Sequence, residues 1–520
     1  MARFRVPAVA IAVALGVVIT VLAVLVATHA RNPTSSSSSS LPPGGDWSTY
    51  LGNESRDGTP VGEQLISDRN ASSLEQLWSF KDQGSLQSEP VVAGTTVYVG
   101  DAGGDENAIN AQTGALLWQS FIGVDNQDTA CGKTPLGVIS TPTVTAQQVL
   151  LYGGDSKFYA LNRTTGAVVW STPVGNITDG YFGWGSPLVS HGSIYVGIAS
   201  RCDHPLVPAG LAQISMANHS VVAVFHTTSP GLLGNSVWST PALNASSNTI
   251  FVTTGNPNGT DPRGLSEAIL AVNASTLQLE RFWQVPVNQT QVDSDFGSTP
   301  VLFTPRGAPA MVAGINKNGI LYAWYQSNLT LAWERTISWA PTISSASWSG
   351  HSLYVTGSNT TIAGQSYGSG VFDLNPRNGS VLWQRGFAVP HTGYTSPLWV
   401  NGALVVADAS TTQILNASTG TTITSLPVNG SVNAPPAISR GTLYVATTHG
   451  RLYAFDLDLP RDPPTVQPTA SGLALPGLLL APAALVRLGT APLDPTASRF
   501  VVRFPGPAVK NGALPTRPSR

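Results

Sequence analysis

Residues 90–100, PVVAGTTVYVG, begin the pattern that decides the fold. A proline opens a short β-branched strand, a turn leads to a second strand, and Thr113-Gly114 and Trp118 come later in the same unit. Residues 142–170 repeat this order of features, ending again in Thr-Gly and a tryptophan. A unit of short strands that returns at a regular interval predicts a repeat architecture.

Eight prolines open such units, about 49 residues apart on average, which is close to the length of a four-stranded propeller blade. They are Pro90, Pro142, Pro187, Pro241, Pro300, Pro341, Pro397 and Pro436. The last unit supplies only three strands, so we expect residues 74–80 to pair with it and to place Trp78 beside the strand that carries Tyr453. The sequence therefore predicts an all-β, eight-bladed propeller of four-stranded blades over residues 46–459, with its ring closed by this N-terminal strand.

The composition agrees with such a fold and excludes several function classes. Only 10% of the residues are charged and the formal net charge is −2, which disfavours nucleic-acid binding. The 52 glycines and 39 prolines are typical of tight turns between strands. The eight histidines lack metal-ligand spacing, no Cys-x-x-Cys-His haem motif occurs, and no phosphate-binding loop is present.

The two ends of the chain differ from the body in composition. Arg3 and Arg5 precede the uncharged apolar residues 6–27, so we expect a transmembrane anchor in residues 1–30 and an extracytoplasmic body, with a cleaved signal peptide as the alternative. Residues 31–45 are rich in Ser, Pro and Gly and predict a linker. Residues 460–520 hold twelve prolines and predict a disordered tail.

Two further features are consistent with export. The only cysteines are Cys131 and Cys202, and outside the membrane we expect a disulfide between them. Sequons for N-glycosylation predict a glycoprotein if the host modifies them. Their asparagines are Asn53, Asn70, Asn162, Asn176, Asn218, Asn244, Asn258, Asn273, Asn288, Asn328, Asn359, Asn378, Asn416 and Asn429.

Strand direction assigns the candidate site residues to one face of the propeller. Because strands alternate in direction, the loops before the first strand and after the second strand of every blade leave the same face. Polar or aromatic side chains in those loops are Cys131, Cys202, Asp203, Trp238, Asn256, Asp293, Asp295 and Lys317. This face is therefore the expected site.

These residues resemble those of a known family. The opening Trp47-Ser48-Thr49-Tyr50, the pattern of Asn70, Leu77 and Trp78, and the repeats are similar to pyrroloquinoline quinone (PQQ) enzyme repeats, over roughly residues 46–458. The segment from Trp238 to Asn256 resembles that of quinoprotein alcohol dehydrogenases, and among them the chain is most similar to polyvinyl-alcohol-dehydrogenase-like proteins.

The resemblance implies a role for each candidate residue. Trp238 would stack on PQQ, Asn256 with Asp295 and Asp203 would ligate Ca²⁺, and Lys317 would contact the quinone oxygens. Asp295 would be the catalytic base that takes the proton of the alcohol. The family's pair of adjacent cysteines is missing, since Cys131 is followed by Gly132.

Three hypotheses follow. The first is PQQ- and calcium-dependent oxidation of an alcohol or sugar-like hydroxyl compound outside the membrane, with a separate electron acceptor because no haem motif is present. The second is a non-catalytic propeller that acts as a binding or assembly scaffold, since such scaffolds carry the same repeats. The third is a surface glycoprotein whose blades are purely structural.

Overall fold

The computed structural model describes residues 44–127, 135–203, 205–258, 263–389 and 395–457. The predicted anchor in residues 1–30, nearly all of the predicted linker and the predicted tail lie outside these ranges and stay predictions. Within the described ranges, no helix combines the length and apolar character needed to cross a membrane.

The described residues form eight antiparallel sheets, which confirms the predicted all-β, eight-bladed propeller. Strand β1 is Leu74–Lys81, and each blade then follows in chain order. Blade 1 contains β2 (Val91–Ala93), β3 (Thr96–Gly100), β4 (Asp105–Asn110) and β5 (Leu116–Phe121). Blade 2 contains β6 (Thr143–Val144), β7 (Gln148–Tyr152), β8 (Lys157–Asn162) and β9 (Val168–Pro173). Blade 3 contains β10 (Tyr181–Phe182), β11 (Leu188–Ser190), β12 (Ser193–Ser200), β13 (Gly210–Ser215) and β14 (Ser220–His226). Blade 4 contains β15 (Ala242–Asn244), β16 (Thr249–Thr253), β17 (Ala268–Asn273) and β18 (Leu279–Gln284). Blade 5 contains β19 (Val301–Phe303), β20 (Met311–Ile315), β21 (Ile320–Tyr325) and β22 (Leu331–Thr336). Blade 6 contains β23 (Ser347–Trp348), β24 (Leu353–Ile362), β25 (Gln365–Leu374) and β26 (Val381–Phe387). Blades 7 and 8 contain β27 (Leu398–Val400), β28 (Ala403–Asp408), β29 (Thr411–Asn416) and β30 (Thr422–Pro427); and β31 (Ala437–Ser439), β32 (Thr442–Thr447) and β33 (Arg451–Leu457).

Helical structure in the described ranges is confined to four short 3₁₀ turns, Tyr50–Gly52, Ala71–Ser73, Ile177–Asp179 and Val287–Gln289. Blade 3 carries one strand more than the others, because β10 in the loop before the blade pairs with the end of β12. Strand β1 pairs antiparallel with β33, and Ser79 lies opposite Tyr453. Blade 8 thus takes its outer strand from a segment that precedes blade 1.

A belt of hydroxyl groups joins the starts of neighbouring blades. In each of blades 2 to 7, a Ser or Thr two residues before the first strand accepts a hydrogen bond from the backbone N–H of the equivalent residue in the preceding blade, at 2.8–3.0 Å. This hydroxyl belt consists of Thr141, Ser186, Thr240, Thr299, Ser345 and Ser396. Because the amide donors are buried, each bond satisfies a group that would otherwise be costly.

One predicted blade start, Pro341, is wrong, as the hydroxyl belt shows. Pro341 does not open blade 6, whose first strand begins at Ser347. The belt residue of that blade is Ser345, and Ala346 stands where the other blades have proline. The proline pattern failed here because a proline that belongs to the preceding loop lies close to the position that lacks one.

Residues 45–59, which we call the N-terminal plug, bond to the first strands of seven blades and, in blade 3, to Pro187 directly before the inner strand. Trp47 exchanges two backbone bonds with Val92, at 2.9 and 2.7 Å. The guanidinium of Arg56 is fully buried and donates to the carbonyls of Pro241 and Pro187, at 3.0 and 3.3 Å. The remaining inner strands are reached through Val144, Leu243, Leu302, Trp348, Trp399 and Ser439. The inner edges of the blades are therefore held together by one continuous segment.

Tryptophans on the outer strands pack on the glycine of the Thr-Gly or Asn-Gly turn in the following blade. Those glycines have positive φ angles between 66° and 72°. A Cβ atom on any of them would lie 2.4–2.8 Å from the indole, which leaves room for a hydrogen atom only. The pairs are Trp78 with Gly114, Trp118 with Gly166, Trp333 with Gly379, and Trp383 with Gly420. This packing explains why the glycine and the tryptophan recur in the sequence.

We expect Gly379→Ala to lower the free energy of unfolding by about 2–4 kcal/mol, because the new methyl group overlaps the Trp333 ring and the backbone is left-handed. Chemical denaturation measures the loss. Gly192→Ala is the matched control: Gly192 has a φ of 76°, and its Cβ would meet nothing within 4 Å. Only the backbone cost of about 1 kcal/mol should appear there. Equal losses in the two variants would contradict the packing argument.

Candidate functional site

Trp238 lies on the loop that enters blade 4, two residues before Thr240 of the hydroxyl belt. Its indole Nε1 donates a hydrogen bond of 2.8 Å to Oδ2 of Asp295, which comes from the loop before blade 5. Gly297 makes this approach possible: a Cβ there would lie 2.3 Å from Cη2 of Trp238 and 2.5 Å from Cγ2 of Ile343. The indole is thus fixed by a bond at one edge and by close packing at another.

Asp295 is a buried carboxylate with a single cationic partner. Its side chain pairs with Nζ of Lys317 at 2.6 Å, and Lys317 lies on the turn after the second strand of blade 5. Burial raises the pKa of Asp295 to about 6, although the Lys317 charge opposes the shift. The same ammonium lies 4.9 Å from the centre of the Trp238 ring. A carboxylate with such a pKa is mostly ionised at neutral pH and can accept a proton.

Asp293 connects Lys317 to the neighbouring loop of blade 4. Its Oδ1 accepts bonds of 2.8 Å from both Nζ of Lys317 and Nδ2 of Asn256. Burial acts to raise the pKa of Asp293, but these two donors overcome it and hold the pKa below the usual value. Asn256 also donates to Oδ2 of Asp203 at 2.9 Å. The amide of Asn256 therefore bridges two carboxylates.

The structure brings the predicted residues Asp203, Trp238, Asn256, Asp295 and Lys317 into one connected group. The amide of Asn256 bonds to Asp203 and Asp293, whereas Asp295 bonds to Trp238 and Lys317, and the ligation of calcium by these residues stays a prediction. The sequence places Asp293 on this face but predicts no role for it. Ile343 was missed, because its loop had been assigned to a blade start at Pro341.

The donor set fits a hard cation such as Ca²⁺ in its chemistry. Asp203, Asp293 and Asp295 offer carboxylate oxygens, and rotation of the Asn256 amide would present its carbonyl oxygen to the two carboxylates that its nitrogen now contacts. Among the described residues, no group of three or more His, Cys, Asp or Glu side chains is arranged to hold a metal. Lys317 supplies the positive charge between Asp293 and Asp295.

The predicted disulfide stays a prediction, because Cys131 lies outside the described residues. The described residues contain no free cysteine. Two residues before Asp203, the buried Arg201 pairs with Asp125 at 3.0 Å, and this pair ties the loops of neighbouring blades together on the site face.

Comparison with known proteins finds two groups of relatives, dehydrogenases and assembly factors, which correspond to the first two hypotheses drawn from the sequence. The family described as outer membrane protein assembly factor BamB matches residues 62–201 and 368–460. A polyvinylalcohol dehydrogenase of a Pseudomonas species is 22% identical over 365 residues, which are 61% of this chain and 56% of that protein. The BamB protein of Yersinia pestis is 24% identical over 373 residues, 70% of this chain and 83% of that protein.

Among solved structures, the quinohemoprotein alcohol dehydrogenase of Comamonas testosteroni has a TM-score of 0.68 at 15% identity, with 81% of this chain and 82% of that chain covered. This likeness shows the fold alone. The chain spans little more than half the length of the polyvinylalcohol dehydrogenase that it matches. In repeat pattern, fold and sequence relatives, the chain resembles the PQQ-repeat β-propellers of the quinoprotein dehydrogenases, as the sequence predicted.

Proposed function

We propose that this protein is a quinoprotein dehydrogenase that uses PQQ and Ca²⁺ to oxidise an alcohol or a sugar-like hydroxyl compound. The observation that carries the proposal is the placement of Asp295 between the indole N–H of Trp238 and the ammonium of Lys317. Such a carboxylate is desolvated, oriented and ionised, which are the requirements of a general base.

Each residue of the group has a chemical task in this proposal. Trp238 offers a flat aromatic face to a planar cofactor. Asn256, Asp203, Asp293 and Asp295 would hold calcium through hard oxygen ligands. Asp295 takes the hydroxyl proton of the substrate, and Lys317 stabilises the negative charge that develops during the reaction. The quinone, when bound, supplies the acceptor for the two electrons, and a separate acceptor removes them afterwards.

The location remains part of the proposal. An anchor in residues 1–30 would place the propeller outside the membrane, and a cleaved signal peptide would release it. The sequons and the disulfide between Cys131 and Cys202 would suit that location.

The test is reconstitution of the purified protein with PQQ and Ca²⁺, followed by quinone uptake and alcohol-dependent reduction of a dye. We expect uptake that requires the metal and is weakened at least tenfold in Trp238→Ala, because the stacking face is lost. Chelation of the metal before reconstitution is the negative control. A protein that takes up no quinone under any of these conditions would disprove the proposal.

A second candidate is a binding or assembly scaffold without redox turnover. The match to the Yersinia pestis BamB protein covers 83% of that protein, whereas the match to the polyvinylalcohol dehydrogenase covers 56% of that enzyme. This difference favours the second candidate. Uptake of quinone without turnover of any alcohol would favour this candidate over the first.

A further inference from the structure

Glu267 occupies a backbone position that favours glycine. In five blades, the residue directly before the strand next to the outermost one has a positive φ. Its carbonyl accepts a hydrogen bond from the backbone N–H of the residue that follows the outermost strand. These residues are Gly104, Ser156, Glu267, Gly319 and Gly450. Only blade 4 places a long side chain there, with a φ of 46°. Because a Cβ atom disfavours this conformation, the contacts of the Glu267 side chain must offset a backbone cost.

The Glu267 carboxylate is buried and uses its two oxygens differently. Oε2 pairs with Nη2 of Arg263 at 2.6 Å, which compensates the buried charge. Oε1 accepts a hydrogen bond of 2.8 Å from the hydroxyl of Ser294. The carboxylate thus connects the start of β17 to the loop before blade 5.

Ser294 lies between Asp293 and Asp295 in the chain and is itself buried. Its hydroxyl also accepts a bond of 2.8 Å from the backbone N–H of Gln291. Asp293 has a φ of 58°, so the segment turns sharply at this point and directs both carboxylates to Lys317. A turn of this kind relaxes unless surrounding contacts fix it.

We propose that Glu267 is a positioning residue, which acts through Ser294 to hold Asp293 and Asp295 against Lys317. Its effect on turnover rests on the proposed function. Its effect on the conformation of the loop does not, and the two can be measured separately.

Amide hydrogen exchange of the cofactor-free protein measures the conformational effect. We expect Glu267→Ala to speed exchange in peptides covering residues 290–298 about tenfold or more, since the loop loses its anchor. Glu280→Ala is the matched control, because Glu280 lies in the same blade and also pairs with an arginine, Arg281, at 2.9 Å. Unchanged exchange in residues 290–298 would overturn the proposal. If Glu267→Ala does not fold, Ser294→Ala removes the same hydrogen bond and decides the question in the same way.

Reconstituted enzyme measures the effect on turnover. With saturating PQQ and Ca²⁺, we expect Glu267→Ala to lower kcat about 10–100-fold and Glu267→Gln to restore most of it, because the amide oxygen still accepts from Ser294. In the Ser294→Ala background, Glu267→Ala should have almost no further effect. Additive losses would show that Glu267 acts by another route and would overturn the proposal. A wild-type protein without turnover would disprove the proposed function, whereas the exchange measurement would still decide the role of Glu267.

Discussion

Asp295→Asn is expected to lower kcat by about 10²–10⁴-fold, because the amide cannot take the proton of the substrate. The change is nearly isosteric, and the amide oxygen can still accept the bond of Trp238. Lys317 keeps Asp293 as a partner. We therefore expect an unchanged fold, and a loss of turnover that persists at saturating PQQ and Ca²⁺.

Asp155→Asn is a suitable control for this experiment. Asp155 also pairs with a lysine, Lys157, at 2.7 Å, but the pair lies in blade 2. Its replacement should leave turnover unchanged. If Asp295→Asn keeps full turnover in steady-state dye reduction, Asp295 has no part in the reaction and the proposed mechanism is wrong.

The second large effect concerns pH. Burial raises the pKa of Glu89 to about 8 and the pKa values of Asp57 and Asp373 to about 6. These carboxyl groups hold protons in the folded protein at pH values where the unfolded chain has lost them, so the folded state binds more protons. The stability that they contribute is therefore complete below pH 4 and is lost as the pH rises towards 8.

We expect the denaturation midpoint to be higher near pH 5 than at pH 8. Glu89→Gln separates the largest contribution, because the amide does not titrate. Trp47 and Leu51 donate to different oxygens of Glu89, so the amide oxygen keeps one of the two bonds, and the comparison uses only the change of the midpoint with pH. The decrease between pH 6 and pH 8 should then be smaller than in the wild-type protein. A midpoint that rises with pH over this interval would refute the argument.

The fold was accessible from the sequence because its repeat has a physical cause at each position. Proline opens the inner strand and glycine leaves room for the tryptophan of the preceding blade. Blade 6 was misplaced because Ala346 replaces the proline, and the hydrogen bond that identifies Ser345 crosses between blades. A contact between residues about 50 positions apart leaves no local pattern in the sequence.

The sequons have a structural explanation that composition did not reveal. Several of their asparagines accept, through Oδ1, a bond from the backbone N–H two residues later, as in Asn162, Asn244, Asn273 and Asn416. Asn110 makes the same turn without being part of a sequon. The motif thus recurs because Asx turns connect the strands, and glycosylation stays a prediction.

The sequence indicated which residues of the candidate site lie together, but it did not indicate which hydrogen bonds join them. Strand direction predicted that Trp238, Asn256, Asp295 and Lys317 lie on one face, and in the structure hydrogen bonds and ion pairs connect them through Asp293. One partner of Asn256 is Asp293, whose φ of 58° has no signature in the sequence. The contribution of Glu267 was likewise invisible, because it depends on a backbone conformation that the sequence pattern assigns to glycine.

The N-terminal plug limits how a substrate can reach the site. In blade 4 the chain passes from Trp238 through Thr240 to Leu243, whose N–H bonds to the carbonyl of Glu54 in the plug at 2.8 Å. The plug therefore lies beyond the hydroxyl belt from Trp238 and occupies the inner edges of the blades on that side of the candidate site. If the proposed reaction occurs, a substrate would enter and its product would leave on the face of the propeller that carries Trp238, and a chain molecule could not be threaded through the ring.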